Sequence, residues 1–301
     1  MTDAALPAQT SRPVEGVLWM IACGLAFVCL TGIVRAIGTD LPAAQQAFLR
    51  FAFGVVLLAP TLGGIRRAGF PPGALRLIGA RGVVHVAAVI CWFYAMARLP
   101  VAEVTAIGYL NPVAVMLGGA LVFGERLTAA RLATVAAALV GAVIILRPGL
   151  RELGSGQMAQ IVAALCFSGS YLFARGLSRM LPAGTVVAML SVAATLGLLP
   201  VALWVWQPVS LMQAAMLAGT AVLGTFAHYA MTRAFAAAPL AVTQPVTFLQ
   251  IVWASLMGVV VFAEPVDPFV ILGGAVIIAA ISAFALHETR GRARPVLPPE
   301  A

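Results

Sequence analysis

Lysine is absent from this chain, and charge of either sign is scarce: eighteen arginines and ten acidic residues stand among 301 positions. A soluble domain carries about 25% charged residues. Here the share is 9%, against 62% hydrophobic residues and a mean hydropathy of +1.04. Water cannot wet such a surface in the ordinary way, so lipid must cover most of it. Missing too are the GxSxG, HExxH and GxxxxGK[ST] patterns, so neither an enzyme nor direct use of ATP can be argued. Cys23, Cys29, Cys91 and Cys166 lie inside apolar segments without CxxC or Cys/His spacing, so no metal site and no cofactor are implied.

The net charge of +8 does not point to nucleic acid, because the arginines stand singly or in pairs between apolar runs. Positive charge is used in that way to orient membrane helices. At ~20 residues per span, about ten spans fit in the chain, with no room for a separate soluble domain. The apolar runs fall near 14–34, 41–62, 77–97, 101–123 and 129–147, then 157–177, 183–206, 210–234, 240–262 and 267–286. The first run is too long for a signal-peptide core and reads as a retained helix.

Counting arginines in alternate loops gives the orientation. One side receives Arg66, Arg67, Arg76, Arg81, Arg126, Arg131, Arg175, Arg179 and Arg233, with Arg12, Arg290, Arg292 and Arg294 of the tails. The other receives only Arg35, Arg98, Arg147 and Arg151. Both termini are therefore expected in the cytoplasm.

The chain also repeats itself. Tyr94-Ala95-Met96-Ala97-Arg98 returns as Tyr229-Ala230-Met231-Thr232-Arg233, and Phe123-Gly124-Glu125 as Phe262-Ala263-Glu264. The matches fall at the ends of equivalent spans. Spacing from the first to the second differs by four residues, which places an insertion near 236–239. Five spans per half is an odd number, so the second half must enter the membrane from the opposite side. The expected fold class is an all-α integral membrane protein of ten transmembrane helices in two inverted five-helix repeats. Its divisions are a cytoplasmic tail over 1–13, repeats over 14–150 and 151–286, and a second tail over 287–301.

The stretch from Trp92 to Gly149 resembles the EamA-type repeat of the drug/metabolite transporter superfamily. It does so through Leu99-Pro100-Val101-Ala102, Asn111-Pro112-Val113, Phe123-Gly124-Glu125-Arg126-Leu127 and Gly141. The second half is similar at Ala238-Pro239, Pro245, Leu249, Trp253-Ala254, Phe262-Ala263-Glu264 and Gly273-Gly274. Arg50 also stands where such repeats often have arginine. One departure is Ala263-Glu264-Pro265, where the family more often has a Gly-Glu pair followed by a helix former.

That resemblance implies a secondary transporter of the inner (plasma) membrane, working by alternating access through a central cavity lined by both halves. Its partners would be the lipid bilayer and a small-molecule cargo, moved by the cargo's own gradient or by protons; a monomer or a homodimer fits. Efflux or exchange of an amino-acid-like or amphipathic metabolite is the leading expectation. Uptake of riboflavin or S-adenosylmethionine is the alternative. A non-catalytic membrane scaffold is the rival of another class, and the expected tails of about a dozen residues leave it little to bind with.

Polar residues within spans carry the site expectations, since a charge at the bilayer centre costs at least ~2.5–3.5 kcal/mol. Arg50 lies about ten residues into its span, roughly 14 Å deep, with Gln46 one turn before it. It reads as a carboxylate contact or as an arginine bonded to backbone carbonyls. His85 and His228 either couple cargo to protons or bond between helices. Trp92 shares a helical stripe with Arg81, His85, Ala88 and Met96. Tyr109 shares a face with Thr105 and Pro112, and Asn111 lies beside it. Gln250 shares a face with Thr243 and Thr247, while Gln244 precedes Pro245. Tyr171 lines up with Gln160 and Phe167. The expected cargo contacts are thus Arg50, Gln46, His85, Trp92, Tyr109, Asn111, Tyr171, His228, Gln244 and Gln250. Glu125, Glu264, Pro112 and Pro245 are expected to order turns or gate.

Overall fold

Side chains on the outside of the bundle are apolar, and many of those inside are polar. Leu57, Leu121, Leu139, Leu196 and Val260 are exposed, whereas Gln45, Gln46, Arg50, Arg81, His85 and Glu103 are buried. That inversion is what a lipid solvent selects. The computed structural model describes residues 12–123, 128–147, 153–177, 180–237, 246 and 249–292. Among them are no strands and eleven helices. The first six are α1 (Pro13–Ile37), α2 (Ala43–Ala68), α3 (Ala74–Met96), α4 (Val101–Gly108), α5 (Leu110–Phe123) and α6 (Ala129–Leu146). The second half supplies α7 (Ser155–Leu177), α8 (Ala183–Trp204), α9 (Leu211–Ala237), α10 (Gln250–Phe262) and α11 (Pro268–Arg292). Six of them, α1, α2, α3, α7, α8 and α9, are long and apolar enough to cross a membrane.

Cross-chain bonds fix the helix directions. Where α1 begins, Arg12 N donates to Ala237 O at 2.8 Å and Arg233 bonds Glu15, so α9 ends there. Where α1 ends, Arg35 reaches Ala97 O just past α3 and Glu264 just past α10. Tyr94 to Ser155 (2.9 Å) and Gln157 to Glu103 (3.1 Å) put the start of α7 at this same end. Arg147, after α6, pairs there with Asp267, before α11. Thus α1 and α7 run in opposite directions, as do α3 and α9, and α6 and α11.

Packing obeys the same exchange. Helix α1 packs on α9 as α7 packs on α3, while α2 pairs with α8, α4 with α10 and α6 with α11. Swapping the halves maps this set of pairings onto itself, as a two-fold axis between inverted repeats requires. On that axis α6 and α11 cross at glycines: an added Cβ at Gly141 falls 2.7 Å from Gly273 O and 3.3 Å from Ile277 N. Small residues let two backbones touch where no hydrophobic drive holds helices together.

Two sequence expectations change. The run 101–123 is two helices, α4 and α5, with Tyr109 between them. Pro112 has no N–H to give to the Gly108 carbonyl four residues back, so the ladder opens there. Arg81, counted with the loops, lies inside α3 and is buried. Ala263 sits in the left-handed region at φ 52°, the conformation that the family's more usual glycine adopts freely.

Candidate central cavity

A cavity of about 310 Å³ opens between the halves, walled by α1, α2, α3, α4, α5, α7, α8, α9 and α10. It brings together Arg50, His85, Trp92, Tyr109, Asn111, Tyr171, His228 and Gln250 from the expected contacts. Gln46 does not reach it: its Nε2 donates to Gly38 O (3.1 Å) and Leu41 O (2.8 Å), closing the α1–α2 turn. Gln244, Pro245 and Glu125 lie outside the described residues, as does the side chain of Pro112.

Along α7, Gln160, Ala164, Phe167 and Tyr171 recur at helical spacing and line one wall. At ~1.5 Å per residue that stripe runs roughly 16 Å down the cavity. Its aromatic middle continues onto α3, with Trp92 edge-on to Phe167 at 5.7 Å. Tyr171 lies nearly parallel to Phe167, at 6.5 Å and 21°. His85 stands edge-on between Phe51 (5.7 Å) and Phe167 (5.3 Å), and His228 edge-on to Phe27 (5.6 Å).

The cavity's ends differ in polarity. At one end each of two amides ties one N–H to backbone: Gln160 Nε2 donates to Val104 O (3.0 Å) and Asn111 Nδ2 to Ala164 O (3.2 Å). Their carbonyl oxygens are left as acceptors, and Gln160 Oε1 is buried without a partner among the described residues. The Gly108 carbonyl released by Pro112 belongs to this end, since Gly108 lines the cavity.

The other end holds donors. Arg81 donates through Nε to Ser170 Oγ (3.4 Å) and through Nη1 to Val186 O (3.3 Å). The same hydroxyl lies 3.1 Å from His85 Nδ1. Ser170 Oγ thus joins Arg81 and His85 in one hydrogen-bonded group. Arg50 lies 4.2 Å over the Phe51 ring, and its Nε is buried without a partner among the described residues. An added Cβ at Gly224 would come 3.2 Å from its Cζ, so α9 lies close against the guanidinium at this glycine.

Beyond the amide end, side chains knit the two halves together. Glu264 Oε1 accepts from Arg35 Nε (3.0 Å), its Oε2 accepts from Val101 N (3.0 Å), and Arg35 Nη1 donates to Ala97 O (3.1 Å). These bonds tie Glu264, just past α10, to α1 and to the start of α4, a staple between the halves at the Arg35 end.

Phe27, Thr31, Phe51, Arg81 and Leu190 also line the cavity without having been singled out as contacts. Arg81 was legible in the α3 stripe it shares with His85 and Trp92. Phe27 and Thr31 were not, because α1 is apolar on every face and shows no periodic stripe.

The EamA-like transporter family model matches the chain twice, over residues 14–147 and 154–286. A riboflavin transporter of Rhizobium johnstonii is 29% identical, covering 98% of this chain and 99% of its own. The pseudopaline exporter CntI of Pseudomonas aeruginosa is 25% identical, over 92% of this chain and 97% of its own. An S-adenosylmethionine uptake transporter of Rickettsia prowazekii is 22% identical, over 88% and 90%. A crystal structure of a protein with 20% identity superposes at a TM-score of 0.62, covering 93% of this chain and 99% of that one.

Proposed function

The chain belongs to the EamA-like transporter family, and from that membership we propose that it carries a planar heteroaromatic metabolite of flavin's size across the inner membrane. That it is a multi-pass, non-enzymatic transporter of small metabolites follows from the family and its relatives. The observation that carries the finer reading is the aromatic wall of Trp92, Phe167 and Tyr171 between two polar ends. Flat rings gain from stacking and edge contacts with such walls, and cavities for small organic ligands run from about 300 to 1,000 Å³. The resemblance to a riboflavin transporter over nearly the whole chain supports the same cargo class.

Movement is by alternating access, with the halves rocking about the cavity. The staple at Glu264 holds one end shut while cargo enters from the other. Both termini face the cytoplasm, and removing the buried Arg81 from the loop count leaves the arginine bias intact. Titrating riboflavin with the purified protein tests the cargo: binding beside Trp92 quenches flavin fluorescence saturably, and Trp92→Ala weakens it. Linear, unsaturable quenching that is the same in both proteins would exclude flavin-like rings. A second reading, export of a carboxylate-bearing metabolite, is favoured by Arg50 and Arg81 in the cavity wall and by the resemblance to a pseudopaline exporter.

A further inference from the structure

We infer that the cavity reads charge through Arg50, and that it prefers a cargo bearing an anionic group, a carboxylate or a phosphate monoester docked there, over its neutral counterpart. The inference rests on the central cavity being the cargo site, and it deepens that reading from a ring to a ring with an anionic end. Two guanidinium groups line the cavity, and no Asp or Glu does among the described residues. The buried acid of the neighbouring helix, Glu103, is bonded by Gln157 and faces a different, smaller cavity.

The two arginines differ in how they are held. Arg81 has a hydroxyl and a backbone carbonyl as partners. Arg50 is 7% exposed, and its Nε is buried without a partner among the described residues. Burying an unpaired cation is costly, and a paired one much less so. The Phe51 face offsets part of that cost, and Gly224 leaves space on the other side. A planar fork of N–H groups facing an apolar-walled cavity matches a carboxylate or phosphate bidentately. His85 lines the same end.

The guanidinium groups of Arg50 and Arg81 stand at one end of the cavity and the acceptor oxygens of Gln160 and Asn111 at the other, which gives the cargo one favoured orientation. Its ring lies along Trp92 and Phe167, its anionic group meets Arg50, and any N–H groups meet Gln160 and Gly108.

The test compares ligands that differ only in charge, using the full-length protein in nanodiscs. Thermal shift and fluorescence titration would be run with riboflavin against flavin mononucleotide, and with indole-3-acetate against its neutral amide. The expected result is at least about tenfold tighter binding of the anion in each pair. Arg50→Gln should abolish that preference and Arg50→Lys should retain part of it, with unliganded melting temperatures recorded for both. Gly224→Ala crowds the guanidinium without changing charge and should also reduce the preference. If neither flavin binds but indole-3-acetate outcompetes its amide, the flavin reading fails and the charge reading stands. If riboflavin binds as tightly as its phosphate and the two indoles bind alike, the charge reading is overturned and the flavin reading survives. Binding of none of the four, or an anion preference unchanged in Arg50→Gln, also overturns it.

Discussion

Removing the Glu264 carboxylate should open the Arg35 end of the transporter. In Glu264→Ala, Arg35 keeps only its bond to Ala97 O, and the Val101 amide loses its acceptor. Hydrogen bonds to a charged group contribute about 1.5–3 kcal/mol each. The Arg35 side chain is 26% exposed and that of Glu264 10%, so water replaces part of what is lost. A net cost of about 2 kcal/mol is reasonable for the two bonds together, roughly 30-fold in the equilibrium between closed and open. Hydrogen exchange in nanodiscs reads this directly. Val104 N bonds to Pro100 O within the first turn of α4 and keeps that bond in the variant. Its exchange should still accelerate by roughly that factor if the end opens as a unit. Amides near Gly141, at the α6–α11 crossing, should not change. Unchanged exchange at Val104, or equal acceleration at both places, would refute the staple as a closure and reduce it to a packing contact or a general stabiliser.

Other consequences concern the packing and the topology. Gly141→Leu should cost at least 1–3 kcal/mol, seen as a lower melting temperature, because the new side chain meets the backbone of α11. Gly79→Ala, where nothing lies within 4 Å, should instead be neutral or stabilise by up to about 1 kcal/mol. Ala263→Gly relieves a left-handed alanine and should raise the melting temperature by an amount worth about 1 kcal/mol. A reporter fused after Ala301, or within the 63–76 segment, should be active only in the cytoplasm; periplasmic activity at either would reverse the orientation.

Much of this architecture is legible in the sequence because a membrane leaves few choices. Where every backbone group must be satisfied internally, long apolar runs become helices, and the Tyr-Ala-Met and Phe-x-Glu echoes align the two halves before any contact is known. What a one-dimensional reading misses is depth. Arg81 looks like a loop charge until α3 begins at Ala74 and carries it inside. Gln46 shares a face with Arg50 by spacing, yet one turn nearer the helix start it meets the carbonyls of the preceding turn instead of the cavity. The break at Tyr109 was foreshadowed by Asn111-Pro112, since a proline near mid-span frees a carbonyl. Glu264 could be expected to bond an arginine or an amide, but its partners, Arg35 and Val101, are far away in sequence and belong to the other half. Long-range pairing of that kind has no local signature.

The central claim is that flavin-like cargo crosses through the cavity between the repeats, and solute counterflow in proteoliposomes tests it most directly. Vesicles loaded with unlabelled riboflavin should transiently accumulate labelled riboflavin above its external level, because a carrier exchanges one molecule for another through a single alternating site. Trp92→Ala combined with Phe167→Ala should remove that overshoot, in protein whose incorporation and melting temperature match the parent. Flux that ignores the internal load, or an overshoot that survives in the double variant, would contradict the account.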